Sequence, residues 1–117
     1  MQAILMTFVS DVALDVLRQR LERYTAALLS VPGFVMKAWI VEESVLGGFY
    51  LFENQAAADA YLQGEVCDML ILDTSFSYFK INRFDVIDDL SVIAGSPEST
   101  IRRELNSAPT TLTMTAG

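Results

Sequence analysis

The sequence lacks histidine altogether, and it contains a single cysteine, Cys67. Without histidine there is no imidazole to bind a metal, act as a general base or complete a catalytic triad. One thiol cannot form an internal disulfide, nor can it supply the several thiolates of a zinc or iron–sulfur site. We therefore expect no metal site, and we expect Cys67, which lies among apolar neighbours, to be a buried and inert thiol.

Positive charge is also scarce. The chain has 8 Lys and Arg against 15 Asp and Glu, which gives a net charge of -7. A phosphate backbone or an anionic membrane surface needs clustered cations, so neither nucleic acid nor membrane is an expected partner. The apolar opening, residues 3–9, is too short for a signal peptide core or a membrane span. With one thiol and no export signal, the cytoplasm is the expected location.

What the chain does have is enough apolar material for one core, since 52% of its 117 residues are hydrophobic. The patterning predicts four strands, with one helix capped by Ser10, a second capped by Asn54 and a further helical turn or two over residues 65–73. The strands are expected at about 2–9, 34–41, 49–52 and 75–87. The resulting βαββαβ order predicts an α+β, ferredoxin-like fold, a four-stranded antiparallel sheet with both helices on one face.

The predicted strands are apolar on both faces, whereas a sheet covered on one side should alternate apolar with polar. Tyr50 and Phe52 oppose Phe49 and Leu51, for example. Two helices cannot cover both faces, so the second face should meet another sheet or a ligand. Symmetric self-association is the simplest solution, and we expect a homodimer through the helix-free sheet face.

The last part of the chain is patterned differently. We assign residues 1–93 to the sheet domain and residues 94–117 to a C-terminal extension. Ser96 as an N-cap and Pro97 at the first helical position predict a short helix that carries Ile101 and Leu105. We expect this helix to contact the partner subunit and cover the mouth of a cavity.

Several segments together resemble one known family, the YdhR-like putative monooxygenases of the dimeric α+β barrel superfamily. They are Val31-Pro32-Gly33-Phe34-Val35-Met36-Lys37-Ala38-Trp39, Gly47-Gly48-Phe49-Tyr50-Leu51-Phe52, Ala58 with Ala60-Tyr61-Leu62, and Phe84-Asp85-Val86-Ile87-Asp88-Asp89-Leu90-Ser91. The resemblance covers about residues 2–92 and implies that two ferredoxin-like sheets pair as a dimeric barrel. It also implies an oxygenase that works on phenolic or polyketide-like substrates without metal, flavin or haem.

Lys37 and Trp39 share one face of the second strand, and Met36 lies on the other. Because lysine is rarely buried without a partner, we expect the Met36 side to meet the helices and Lys37 and Trp39 to lie on the helix-free face. There Trp39 would stack on a flat substrate and Lys37 would hold its phenolate. The alternative is that Trp39 fills the dimer interface while the Lys37 amine reaches the rim.

Three further residues are candidates for substrate binding. Tyr50 and Tyr78 could present hydroxyl groups in a pocket, or they could pack in the sheet like ordinary tyrosines. Asn82 could donate to a developing oxyanion, or it could lie at a solvated edge. No nucleophile and base can be paired from the sequence, so no catalytic residue is assigned.

These observations leave three hypotheses. The first is a homodimeric monooxygenase, without a cofactor, that binds a small aromatic or polyketide-like substrate in a pocket of the barrel. The second is a non-catalytic, ligand-binding or stress-related dimer of the same fold. The third is a barrel whose interior is filled by side chains. A cavity of at least about 300 Å³ separates the first two from the third.

Overall fold

Strands and helices occupy most of residues 1–91, the part of the chain that the computed structural model describes. The elements are β1 (Gln2–Val9), α1 (Leu14–Leu28), β2 (Phe34–Glu42), β3 (Val45–Phe52), α2 (Gln55–Leu62), α3 (Glu65–Ile71), β4 (Ser77–Asp85) and a 3-10 turn (Asp88–Leu90). The chain divides into two units, and the first, Met1–Val86, holds the sheet and the three α-helices. The second begins at Ile87. The helix predicted from Ser96 lies outside the described residues, and the proposed boundary at residue 93 stays a prediction.

The four strands form one antiparallel sheet in the order β2-β3-β1-β4. The predicted α+β, ferredoxin-like arrangement is therefore confirmed, with α3 as the predicted extra helical turns. β3 is longer than predicted, because it begins at Val45 and includes Gly47 and Gly48, whereas the predicted strand began at residue 49. No helix in the described part of the chain is long and apolar enough to cross a membrane.

The two predicted helix starts had different outcomes. Asn54 caps α2 as expected, and its side-chain oxygen accepts a 2.8 Å hydrogen bond from the Ala57 amide. Ser10 does not cap α1, because its hydroxyl oxygen accepts from the Val12 amide and closes only a local turn. Ala13, whose backbone is extended, takes the N-cap position, so α1 begins three residues later than a Ser10 cap would allow.

The core lies between the helices and one face of the sheet. Ile4, Met6 and Phe8 of β1 are 0–1% exposed and contact the helical layer, together with Tyr50 and Phe52 of β3. The α2 side chain Tyr61 packs on both of these β3 rings, with centroid distances of 5.3 and 5.1 Å. Strand alternation then places the other set of side chains on the helix-free face.

A bulge interrupts the pairing of β4 with β1. Thr7 lies opposite Lys80 and Val9 opposite Ser77, so Tyr78 and Phe79 together face the single residue Phe8. Tyr78 has a positive φ of 56°, a conformation that is costly for a non-glycine residue. Its side chain is 83% exposed, whereas the Phe79 ring lies 5.2 Å from that of Phe8.

Candidate functional site

Lys37 and Trp39 lie on the helix-covered face, so their predicted placement on the helix-free face is wrong. Lys37 Nζ donates a 2.8 Å hydrogen bond to the Tyr50 hydroxyl, which belongs to the core. Trp39 Nε1 donates a 2.8 Å bond to Thr25 Oγ1 of α1. The prediction assumed that lysine is rarely buried without a partner, and here neutral groups are the partners.

Aromatic rings surround the Lys37 amine. Nζ lies 3.2 Å from the centroid of the Trp39 ring and 4.4 Å from that of Tyr50, both within cation–π range. Gly48 provides the space, since a Cβ there would come within 2.6 Å of Lys37 Cε. Within residues 1–91, Lys37 forms no ion pair with a carboxylate.

This environment changes the proton affinity of the amine. Burial lowers the pKa of Lys37 from its ordinary 10.5 to about 7, and the nearby Cys67 opposes this effect. An amine in this range exists in both protonation states near neutral pH. The chain has no histidine, yet the fold provides a group that can exchange a proton in the range where histidine usually does.

The cluster of polar groups that begins at the Lys37 amine extends into the core through Tyr50, Tyr61 and Cys67. The Tyr61 hydroxyl is a hydrogen-bond partner of Tyr50 and of Cys67. Burial raises the pKa of Tyr50 to about 12, and burial likewise raises the pKa values of Tyr61 and Cys67. All three therefore stay protonated near neutral pH. Cys67 is 0% exposed, which confirms the predicted buried thiol.

A cavity of about 340 Å³ lies between α1 and the β2–β3 hairpin. Its apolar wall includes Leu14, Leu21, Trp39, Val41 and Leu46, and Thr25, Arg18 and Glu22 add polar groups from α1. Thr25 has two roles, because it lines the cavity and also accepts the hydrogen bond from Trp39. Lys37 does not line the cavity, but it contacts Trp39, which does.

The structure does not bring all five predicted substrate-binding residues together. Lys37, Trp39 and Tyr50 form one cluster on the helix-covered face. Asn82 pairs with Leu5, whose neighbours in β1 face the core, so Asn82 lies on the helix-free face. Tyr78 projects outward from the bulge in β4, and β1 separates β4 from the β3 strand of Tyr50.

A second polar cluster joins α1 to the segment before β4. Asp73 accepts hydrogen bonds from Arg20 Nη1 at 3.0 Å, from Tyr24 Oη at 2.5 Å and from the Ser75 amide at 2.9 Å. Burial tends to raise the pKa of Asp73, but these hydrogen bonds and the Arg20 charge outweigh it and leave the pKa below its ordinary 3.8. The pKa of Tyr24 rises to about 12, through burial and then through its bond to Asp73. This cluster is far better paired than Lys37.

Polar residues near the ends of β1 and β4 are also paired. Arg83 forms a 2.6 Å ion pair with Asp59 of α2, and it donates to Gln2, whose amide contacts Asp85. No group of three or more Cys, Asp or Glu residues within 1–91 is placed to hold a metal ion.

Thr25, Tyr61 and Gly48 were not predicted to be site residues, although each shapes the site. Thr25 lies on the same helix face as Leu21 and Leu28, but only the structure shows that it bonds to Trp39. The glycine pair was a signal that could have been used. A glycine inside a strand often marks a close approach, and here the approaching group is the Lys37 side chain.

Comparison with known proteins places this site in a context. The family model described as "Putative mono-oxygenase ydhR" matches residues 5–97. No curated protein is significantly similar to the chain in sequence.

Several solved structures share the fold. SnoaB, a cofactor-independent oxygenase from Streptomyces nogalater, has a TM-score of 0.62 at 15% identity, over 73% of this chain and 91% of its own. A putative antibiotic biosynthesis monooxygenase from Deinococcus radiodurans has a TM-score of 0.63 at 15% identity, over 80% and 100%. MhuD, solved with manganese protoporphyrin IX, has a TM-score of 0.58 at 14% identity, over 74% and 95%. Identities this low establish the shared fold alone.

Proposed function

The chain belongs to the ydhR family of putative mono-oxygenases, and on that premise we propose that it is a cofactor-independent monooxygenase. The proposed substrate is a small aromatic or polyketide-like molecule that binds in the cavity between α1 and the β2–β3 hairpin. SnoaB is described as a cofactor-independent oxygenase, and it shares the fold. The substrate itself would supply the electrons for oxygen, as an acidic phenol or anthrone can once it has lost a proton.

The observation that carries the proposal is the cavity with Trp39 in its wall. Its volume of about 340 Å³ exceeds the roughly 300 Å³ that a small-molecule site requires. Its lining is mainly apolar, and the Trp39 ring is fixed by the bond to Thr25. A fixed aromatic wall orients a flat substrate, and an apolar cavity excludes the water that would quench a reactive anion.

The five candidate residues take different places in this proposal. Trp39 would contact the substrate directly, whereas Lys37 and Tyr50 lie behind it. Asn82 and Tyr78 lie outside this cavity, so any contact they make with substrate would depend on a partner subunit. MhuD was solved with manganese protoporphyrin IX bound. This chain has no histidine that could act as an axial ligand to the metal of such a group.

We also propose a homodimer that forms through the helix-free sheet face. Val45 and Phe84 are 41% and 51% exposed on this face, which leaves apolar side chains in contact with water. Replacing Phe84 with Glu should convert the dimer to a monomer in sedimentation experiments. Replacing Val16 with Glu is the matched control, because Val16 is exposed on α1. A wild-type chain that sediments as a monomer would refute the dimer.

Trp39 gives a direct test of the cavity, because it is the only tryptophan of the chain. Its fluorescence should be quenched saturably by some members of a panel of anthrones, quinones and flavonoid-like phenols. Replacing Val41 with Phe should narrow the cavity and weaken this quenching, whereas the same change at Val16, outside the cavity, should not. Quenching that is the same in all three proteins would mean that the ligands bind elsewhere.

Oxygen consumption separates the enzyme from the second candidate function, a non-catalytic ligand-binding or stress-related dimer. Ligands that quench Trp39 should also be consumed with uptake of oxygen above the spontaneous rate. Binding without oxygen uptake would favour the ligand-binding dimer, which the same apolar cavity supports.

A cytoplasmic location stays a prediction, which fractionation of the producing cells would test.

A further inference from the structure

We propose that Lys37 sets the charge preference of the cavity by acting through Trp39, so that an aromatic ligand with a negative charge binds more tightly than a neutral ligand of the same shape. This inference rests on the proposed ligand site but goes beyond it. It assigns a specificity-determining role to a side chain that does not line the cavity.

The position of Trp39 links Lys37 to the cavity. Lys37 Nζ lies 3.2 Å from the ring centroid, so it occupies one face of the indole. The cavity must then contact the remaining face or the edge of the same ring. A cation held on an aromatic ring offsets the negative potential of its π-system, and the other side becomes a better surface for an electron-rich or anionic ring.

The Lys37 charge is unusually effective for this purpose. No carboxylate in the described residues pairs with it, so its field is not cancelled nearby. The groups that face it are Tyr50 from β3, with Tyr61 and Cys67 beyond, and their raised pKa values keep them neutral. In these apolar surroundings an unpaired charge acts over a longer distance than it does in water.

Other charged side chains also lie near the cavity. Arg18 and Glu22 of α1 line the cavity and carry opposite charges. Asp68 lies near Cys67 on α3. Lys37 differs from these because its pKa, lowered by burial to about 7, makes its charge vary across the neutral range. The preference for an anionic ligand should therefore be strong below that pH and should weaken above it.

The test uses two ligands of the same shape, naphthoate and naphthamide, whose affinities are measured by calorimetry from about pH 6 to about pH 8. Naphthoate stays ionised over this range, and naphthamide stays neutral. With the wild-type protein we expect the affinity for naphthoate to fall about fivefold as pH rises, and the affinity for naphthamide to stay constant.

Two variants identify the residue responsible. Lys37→Met should bind naphthoate weakly and equally at both pH values, with naphthamide unaffected. Arg23→Met is the control for the loss of a positive charge, because Arg23 is exposed on α1 and does not line the cavity, so this variant should behave like wild type. Thermal unfolding of both variants shows that they are folded.

The outcomes separate the two proposals. If both ligands bind but the affinity for naphthoate does not depend on pH, or if Lys37→Met keeps the dependence, Lys37 does not set the preference. If neither ligand binds the wild-type protein, the proposed cavity function is overturned, and this inference with it.

Discussion

Asp73 and Lys37 are both withdrawn from water on the same domain, but the protein treats their charges in opposite ways. Asp73 receives hydrogen bonds from Arg20, Tyr24 and the Ser75 amide, and its pKa falls below its ordinary 3.8, so the charged form is favoured. Lys37 has a tyrosine hydroxyl and two aromatic rings, and burial lowers its pKa to about 7, so the charged form is disfavoured.

The difference indicates which of the two clusters stabilises the fold. A charge with every partner in place stabilises the native state, whereas a charge held by neutral groups costs stability. Groups kept at such a cost are often functional, and the amine lies against the wall of the proposed ligand cavity. The comparison therefore supports a structural role for Asp73 and the proposed functional role for Lys37.

The largest expected effect comes from removing Asp73. Asp73→Ala should lower the free energy of unfolding by about 2–3 kcal/mol, because Arg20, Tyr24 and the Ser75 amide all lose their acceptor. In the wild type, the unfolded chain binds the proton at higher pH than the native chain, so this stabilisation is lost as pH falls below the ordinary carboxyl range. The variant should lack that acid-dependent loss.

Denaturant unfolding at several pH values measures both effects. Asp59→Ala is the matched control, since its ion pair with Arg83 is exposed and should contribute less than about 1 kcal/mol. An Asp73→Ala protein as stable as the Asp59→Ala protein would contradict the structural role of Asp73.

The second largest expected effect is a gain in stability on replacing Lys37. Lys37→Met should raise the free energy of unfolding by about 1–2 kcal/mol near pH 6, because a buried amine with neutral partners is replaced by an apolar side chain of similar length. The unfolded chain keeps the lysine proton up to about pH 10, whereas the native chain loses it near pH 7. Wild-type stability should therefore rise between these values, and the variant should lose that rise. A less stable variant would mean that the amine stabilises the fold.

A smaller loss is expected from Gly48→Ala. The new Cβ would lie 2.6 Å from Lys37 Cε and 3.0 Å from Tyr50 Cε1, so the flexible lysine must move. We expect a cost of about 1 kcal/mol and a pKa of Lys37 that returns toward its ordinary value. In a Lys37→Ala background the cost should largely disappear, and an undiminished cost there would place the clash elsewhere.

Tyr24→Phe should have the smallest effect, a loss of about 0.5–1 kcal/mol, because Asp73 keeps its other donors. It should also raise the pKa of Asp73, since one hydrogen bond to the carboxylate is removed. The acid limb of the stability curve would then begin at higher pH. Tyr78→Phe is the control, as that tyrosine is 83% exposed, and equal effects of the two changes would argue against the Asp73 bond.

Much of the fold could be predicted from the sequence, because local patterns determine it. The positions of the strands along the chain and the Asn54 cap each depend on residues close together in sequence. The Ser10 cap failed because its hydroxyl bonded to the amide of Val12, two residues away, and such local choices depend on geometry that the sequence does not display.

The site was less predictable, because it depends on contacts between distant residues. Trp39, Lys37 and Tyr50 were identified as candidates, but the face of β2 was assigned from the rule that lysine avoids burial. Gly48 and two aromatic rings make Lys37 an exception, and this combination forms only when β2 and β3 pair. The pKa of about 7 has the same origin, since no property of an isolated lysine suggests it.

The bulge at Tyr78 has a consequence for how the chain tolerates insertions and deletions. Phe76 and Phe79 are an odd number of positions apart, yet both rings pack on Phe8, at 4.5 and 5.2 Å. A regular strand would place them on opposite faces, so the bulge shifts the phase of the alternation by one residue. Deleting Tyr78 would leave Phe76 and Phe79 two positions apart, so a regular strand would keep both rings in the core without the bulge. A chain that lacks this one residue should therefore keep the same core.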